Sequence, residues 1–129
     1  MIIIPQIAMS AGTMIALFSK AILMGEQSCL GPVDPQYNGV ACQAIIDEFE
    51  KAKEEIAENP NTIGLWQTLI AKYPGATIIH ECENAIRWSN ELMDKWIPKV
   101  YPNIDIEKIR DKFLNHKNDL LSCKTIIKR

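Results

Sequence analysis

Ile4-Pro5-Gln6-Ile7-Ala8-Met9-Ser10-Ala11-Gly12-Thr13-Met14-Ile15-Ala16 passes from strand-like to helix-like chemistry within thirteen residues. Three consecutive isoleucines, Ile2 to Ile4, open it, and β-branched side chains suit a pleated, packed surface. Met1 to Ala8 is therefore predicted as a buried strand, with Pro5 tolerated near its start or on an edge. Ser10-Ala11-Gly12 breaks the strand. Gly12 to Lys20 is small and apolar all round, which predicts a helix buried within a domain. Ser10 falls at the junction, where a side chain is presented at a strand's carboxyl end and helix-start N–H groups point to the same space. Acyl transfer needs both parts, an exposed hydroxyl and donors for the oxyanion it generates. The elbow pattern G-x-S-x-G is not matched, because Ala8 occupies the first glycine position. On spacing alone the commoner role of such a serine, an N-cap, outweighs that of a nucleophile.

Outward from this stretch, Met1 to Ser19 contains no charged side chain. A secretory signal would place basic residues ahead of its apolar run, and the first here is Lys20. A membrane helix is nominally long enough, but Pro5, Gln6, Ser10, Gly12 and Thr13 interrupt it. A strand, a turn and a buried helix account for the same composition, which argues against membrane association. Ala21 to Met24 is a second apolar run closed by Gly25, and Ser28 to Pro35 reads as an extended loop stiffened by two prolines and a glycine.

Beyond Tyr37-Asn38-Gly39 the period becomes helical. Ile45, Ile46, Phe49, Ala52 and Ile56 line one stripe, and Asn59-Pro60-Asn61 ends that helix. A shorter helix over about 62–72 is expected to bury Leu65, Trp66, Leu69 and Ile70. A third, over about 77–96, is expected to bury Ile79, Cys82, Ile86, Leu92, Met93 and Trp96 on one face. A last amphipathic segment covers 104–114, followed by a polar tail. Strand material thus sits almost wholly in the first quarter. Two short strands do not make an independently stable sheet, so partner strands are expected from outside this sequence.

With 129 residues the chain suits one domain. A net charge of −2, with acids and bases interspersed, gives no footprint for nucleic acid. Cys29, Cys42, Cys82 and Cys123 are separated by 13, 40 and 41 positions, which matches no common zinc pattern and leaves no C-x-x-C pair. Buried free thiols in a reducing cytoplasm are the expectation, with no metal.

Ile4 to Ala16 resembles the nucleophile segment of the serine dehydrogenase proteinase family, as does Met24-Gly25-Glu26-Gln27-Ser28-Cys29-Leu30-Gly31-Pro32-Val33-Asp34-Pro35-Gln36 after it. The family is a distant relative of the Clp protease proteolytic subunit and of signal peptide peptidase A. The helical remainder, including Glu48-Phe49-Glu50-Lys51-Ala52 and Glu81-Cys82-Glu83-Asn84-Ala85-Ile86, is also similar, so the likeness runs from about Ile3 to Leu114. It implies an α/β fold of ClpP/crotonase type, truncated at its N-terminus, with a predominantly helical C-terminal part. Residues 1–36 would hold the nucleophile strand, turn and helix with the following strand and loop, 37–114 a helical layer of the same domain, and 115–129 a tail.

By the same resemblance Ser10 would be the nucleophile and the Ala11 N–H an oxyanion donor. Asp34 falls about where the Clp subunit carries its catalytic histidine, and the family is described as using Ser, Asp and His. A loop aspartate before Pro35 also serves commonly as a turn cap. Two histidines are available as base, His80 and His116. On its helix His80 projects with Asn84 and Arg87, away from the apolar stripe, as a solvated residue does. His116 lies near the tail, and the residues leave the choice of base between the two open. Lys20 as a dyad partner is disfavoured, since ten helical residues span ~15 Å. Relatives carry an upstream βαβ portion whose glycine-rich turn supplies a second oxyanion N–H. The chain begins at the nucleophile strand, and losing one such donor typically costs about 10²–10³ in turnover.

Two functions follow as expectations. One is a cytoplasmic, homo-oligomeric serine peptidase acting on peptide or protein substrates without a cofactor. The other is a non-catalytic remnant serving as a structural or oligomerisation module, since exposed strand edges favour association.

Overall fold

The computed structural model describes residues 1–75 and 77–114. Contacts group the described residues into two compact units, one of Met1–Asp34 with residues 88–114, the other of Pro35–Arg87.

In the first unit, the expected single strand is two. β1 (Ile2–Ile4) and β2 (Ile7–Ala8) are separated by a bend at Pro5 and Gln6. A proline has no N–H to give a ladder, so the break falls where the backbone is least able to pair. Opposite them lie β3 (Ile22–Met24) and β4 (Cys29–Leu30). The two pairs are parallel, with Ile2 to Ile4 against Ile22 to Met24 and Ile7 and Ala8 against Cys29 and Leu30.

Ser28 fills the interruption between the ladders. Its hydroxyl accepts from Gly25 N–H at 3.0 Å and donates to the Ile4 carbonyl at 2.6 Å, while Cys29 N–H reaches the Gln6 carbonyl at 2.8 Å. A buried backbone group left without a partner is costly, so this polar side chain, itself buried, takes the place of the missing rungs. The strand is not covered on both faces as expected. Ile4 is buried, but Ile3 and Ile7 are 60% and 62% exposed. Alternation of side chains across a strand sends one set to each face, and within this unit one face is left open.

α1 (Ala11–Leu17) buries Thr13, Ala16 and Leu17 and exposes Ile15. It too was expected to be covered all round, and it is covered on one side. Thr13, fully buried, shares its hydroxyl proton between the carbonyls of Ala8 at 2.9 Å and Gly31 at 2.8 Å. The helix start is thereby tied to the ends of both β2 and β4. The core continues through Ile4, Leu30, Val33, Met93, Ile97, Ile109 and Phe113. The last two belong to α5 (Ile106–Phe113), whose Phe113 carbonyl accepts from Val33 N–H at 2.7 Å and so holds the loop after β4.

The second unit opens with a hairpin of β5 (Gln36–Tyr37) and β6 (Val40–Ala41), turned by Asn38 and Gly39 at positive φ. Asn-Gly between paired strands is the usual chemistry for such a two-residue turn. α2 (Cys42–Glu58) buries Cys42, Ile45 and Ala52, and α3 (Ile63–Ile70) buries Trp66, whose indole N–H donates to Glu55 at 2.9 Å. Leu65, expected inside, is 62% exposed, while its neighbour Trp66 takes the inward position.

α4 (Ile78–Val100) runs beyond its expected end and through Pro98. Tyr101 N–H bonds the Ile97 carbonyl at 2.8 Å, closing the last turn after the proline. Its residues up to Arg87 belong to the second unit and those from Trp88 to the first. The buried positions are Ile78 and Cys82 in one half and Met93 and Ile97 in the other. Leu92 and Trp96, expected on the buried face, are each a little under half exposed. Cys29, Cys42 and Cys82 are buried and not disulfide-bonded, and Cys123 lies outside the described residues.

Two measurements check this packing. Thr13→Val keeps the shape but removes a buried donor, so it should cost about 1–3 kcal/mol by urea unfolding, and more than Thr13→Ser. A Val variant as stable as the Ser variant contradicts the bridge. In the second unit the Tyr73 phenol hydrogen-bonds Glu48, which raises its pKa, with lesser contributions from burial and from the Glu48 charge. A raised pKa stabilises the fold fully below the unfolded phenol's value of about 10 and loses that contribution as pH climbs through the folded value. The stability gap between wild type and Tyr73→Phe should therefore close above about pH 10. Parallel curves would show that the bond contributes nothing.

Candidate active site

Ser10 stands at the carboxyl end of β2 and immediately before α1. Its backbone angles are φ 49° and ψ −119°, those of the first central residue of a type II′ turn. Gly12 N–H closes that turn on the Met9 carbonyl at 2.9 Å. Glycine dominates such positions, and another residue there typically costs about 1–3 kcal/mol unless its surroundings hold it. They do. Ser10 N–H donates to the Pro32 carbonyl at 2.8 Å, and Gly31 N–H donates to Ala8 at 2.7 Å. The Ser10 carbonyl then accepts from Met14 N–H at 3.1 Å as the first bond of the helix.

The side chain is not spent on capping. No hydrogen bond runs from a helix N–H to the Ser10 hydroxyl, which is exposed and meets the Asp34 main-chain carbonyl at 3.5 Å. That distance is at the outer limit of a hydrogen bond, so the hydroxyl is held loosely. Among the described residues the Ala11 N–H has no acceptor, as the first N–H of a helix lacks one by geometry. An exposed hydroxyl and an unspent donor therefore adjoin on consecutive residues.

The missing glycine of the elbow pattern has a steric answer. A Cβ at Gly12 would stand 3.5 Å from the Ala8 Cβ, an ordinary contact. The pattern requires that positions 8 and 12 not crowd each other, and alanine with glycine meets that as two glycines do. Gly31 is the tighter position: a Cβ there would come within 2.8 Å of Met9 Cγ, so Met9 lies across Gly31 beside the serine. Met9 and Thr13 escaped sequence reasoning, although a threonine three residues after the serine was a signal for a helix-start hydroxyl.

Ser10, Ala11 and Asp34 belong to the first unit. His80 belongs to the second, on an exposed position of α4. His116 lies outside the described residues. Among the described residues no cluster of three His, Cys, Asp or Glu side chains is arranged to hold a metal ion, and no helix is long and apolar enough to cross a membrane.

The turn angles make a stability prediction. Ser10→Ala should change stability by less than about 0.5 kcal/mol, whereas an N-cap serine would cost about 1 kcal/mol when truncated. Ser10→Gly should leave the protein as stable or more so, because relief of the positive φ offsets the extra chain entropy. Destabilisation by both substitutions would mean the serine is a cap in a relaxed backbone.

The family model of ClpP-like SDH-type serine proteinases matches residues 1–87. An uncharacterized protein of the archaeon Methanocaldococcus jannaschii is 35% identical over 95 residues, covering 74% of this chain and 30% of that protein. A second uncharacterized protein of the same organism is 35% identical over 57 residues, 44% of this chain and 20% of its own length. The chain thus spans under a third of the curated relatives it matches. No solved structure matches it. On the family match, which takes in β1 to α3 and the start of α4, the chain belongs to the ClpP-like SDH-type serine proteinases.

Proposed function

We propose that Ser10 is the nucleophile of a serine peptidase. Its Oγ attacks a peptide carbonyl, a histidine takes the hydroxyl proton and returns it to the leaving amine, and water then releases the acyl-enzyme. The observation that carries this reading is the Ser10 backbone at φ 49°, ψ −119° with its hydroxyl unspent. A strained conformation that only its surroundings maintain, on a residue with no capping duty, is the mark of a side chain aimed for chemistry.

The Ala11 N–H is the donor for the oxyanion that forms when Ser10 attacks. Asp34 is the family's second member in this reading, supported by the approach of its main chain to the hydroxyl. The base is His80 or His116. Met9, half-exposed across Gly31, gives the substrate an apolar wall next to the serine. The ClpP/crotonase architecture, a cytoplasmic setting and self-association belong to the same proposal. Peptides and proteins are the substrates.

A second reading, a structural module without turnover, draws on a different observation. Ile3 and Leu23, partners in the β1–β3 register, are both exposed, as are Ile7 and Met9. Such an apolar face beside unpaired strand edges suits association with further strands.

A fluorophosphonate probe separates the two. Folded wild type should be labelled at a single serine, and Ser10→Ala should fall to background with an unchanged thermal midpoint. Well-folded wild type that stays unlabelled supports the structural module and rejects the peptidase.

A further inference from the structure

A cavity of about 470 Å³ lies in the first unit at the end of α1 remote from Ser10. It is walled by Leu17, Ile22, Val100, Ile104 and Ile109, with Lys20 at its lining. Its volume falls within the roughly 300–1,000 Å³ that small-molecule sites occupy. α1 has seven residues, so about 10 Å of helix separate this cavity from the serine. It is no part of the peptidase site.

The lining has an asymmetric chemistry. Its walls are largely aliphatic, with Tyr101 and the polar Asn103 also in the lining, and no acidic side chain contributes to them. Lys20 is the single charged residue among the lining residues, is exposed, and makes no ion pair with any described residue. Tyr101, also in the lining, has its hydroxyl committed to the Ser19 carbonyl at 2.8 Å, which fixes its ring as a wall. A ligand that is apolar along its length and anionic at one end fits this lining, because a polar group placed away from Lys20 and Asn103 would be desolvated without a partner.

We propose that this cavity binds an aliphatic monocarboxylate, its chain against Leu17, Ile22, Val100, Ile104 and Ile109 and its carboxylate on Lys20 Nζ. Neither the family match nor the peptidase reading supplies this site, and it stands without either.

Decanoate is the probe and decanol, with the same chain and no charge, its control, both titrated by calorimetry and by amide chemical-shift mapping. Wild type should bind decanoate saturably, with a Kd of about 0.1–1 mM from the methylenes it buries. Decanol should bind about fivefold more weakly, the usual worth of one exposed charge pair. Lys20→Met should remove that difference while leaving decanol binding unchanged, and Ile104→Trp, which fills the cavity from a half-exposed position, should weaken both about tenfold or more. Shifts should centre on Lys20 to Ile22 and Val100 to Ile104. Absence of saturation with folded wild type overturns the proposal. So does an unchanged decanoate-to-decanol ratio in Lys20→Met, or a shift pattern centred on Ser10.

Discussion

One buried hydroxyl holds the turn at Ser10 together. Thr13 Oγ1 lies over the carbonyls of Ala8 and Gly31, the last residue of β2 and the first after β4. Two parallel strand ends and the first turn of α1 are thus joined at a single side chain. The chain between Ala8 and Thr13 then has four residues in which to leave a strand and begin a helix. With both ends fixed, a tight turn is the available route, and the residue at its first central position takes the positive φ. That residue is Ser10. The strain at the serine is therefore set by Thr13 beneath it, by Pro32 on its N–H, and by Gly12 closing the turn.

The strands that carry this turn are short, and their stability comes from how each interruption is filled. Pro5 breaks the first strand, and the second answers with the Gly25–Ser28 turn, whose serine hydroxyl satisfies the groups on both sides. On the inner face Ile4, Leu30 and Val33 pack with α1, α4 and α5 side chains. On the other, Ile3, Ile7 and Leu23 remain open. A parallel sheet ordinarily has cover on both faces, so the open side is a surface suited to further packing.

Much of this was legible in the residues themselves. The passage from Ile2–Ile4 through Ser10 into the helix α1 follows from β-branched residues giving way to small ones, and the α2 stripe of Ile45, Phe49 and Ala52 from its period. The family resemblance rested on the same stretch. Other features were not, for physical reasons. Covering layers were inferred from the composition of Met1 to Ser19, but composition does not tell which face of a strand is packed. Leu92 and Trp96 do not follow the expected buried stripe, since an apolar residue is not always an inward one; α4 turns Met93 inward as expected, and Ile97 with it. The alanine in place of the elbow's first glycine counts against the site in sequence, but in the fold even a Cβ at Gly12 would stand 3.5 Å from the Ala8 Cβ. The positive φ of Ser10 depends on hydrogen bonds from residues more than twenty positions away, which no local pattern encodes.

The central claim is that Ser10 is held for attack and not for capping. A crystal structure of the protein with a phosphonate bound tests it most directly, by the Ser10 torsion angles and the contacts of the adduct. The account predicts φ near 49°, phosphorus bonded to Ser10 Oγ, and the phosphoryl oxygen within hydrogen-bond distance of the Ala11 N–H. A Ser10 at negative φ, with Oγ accepting from the Gly12 or Thr13 N–H and no adduct, would contradict it.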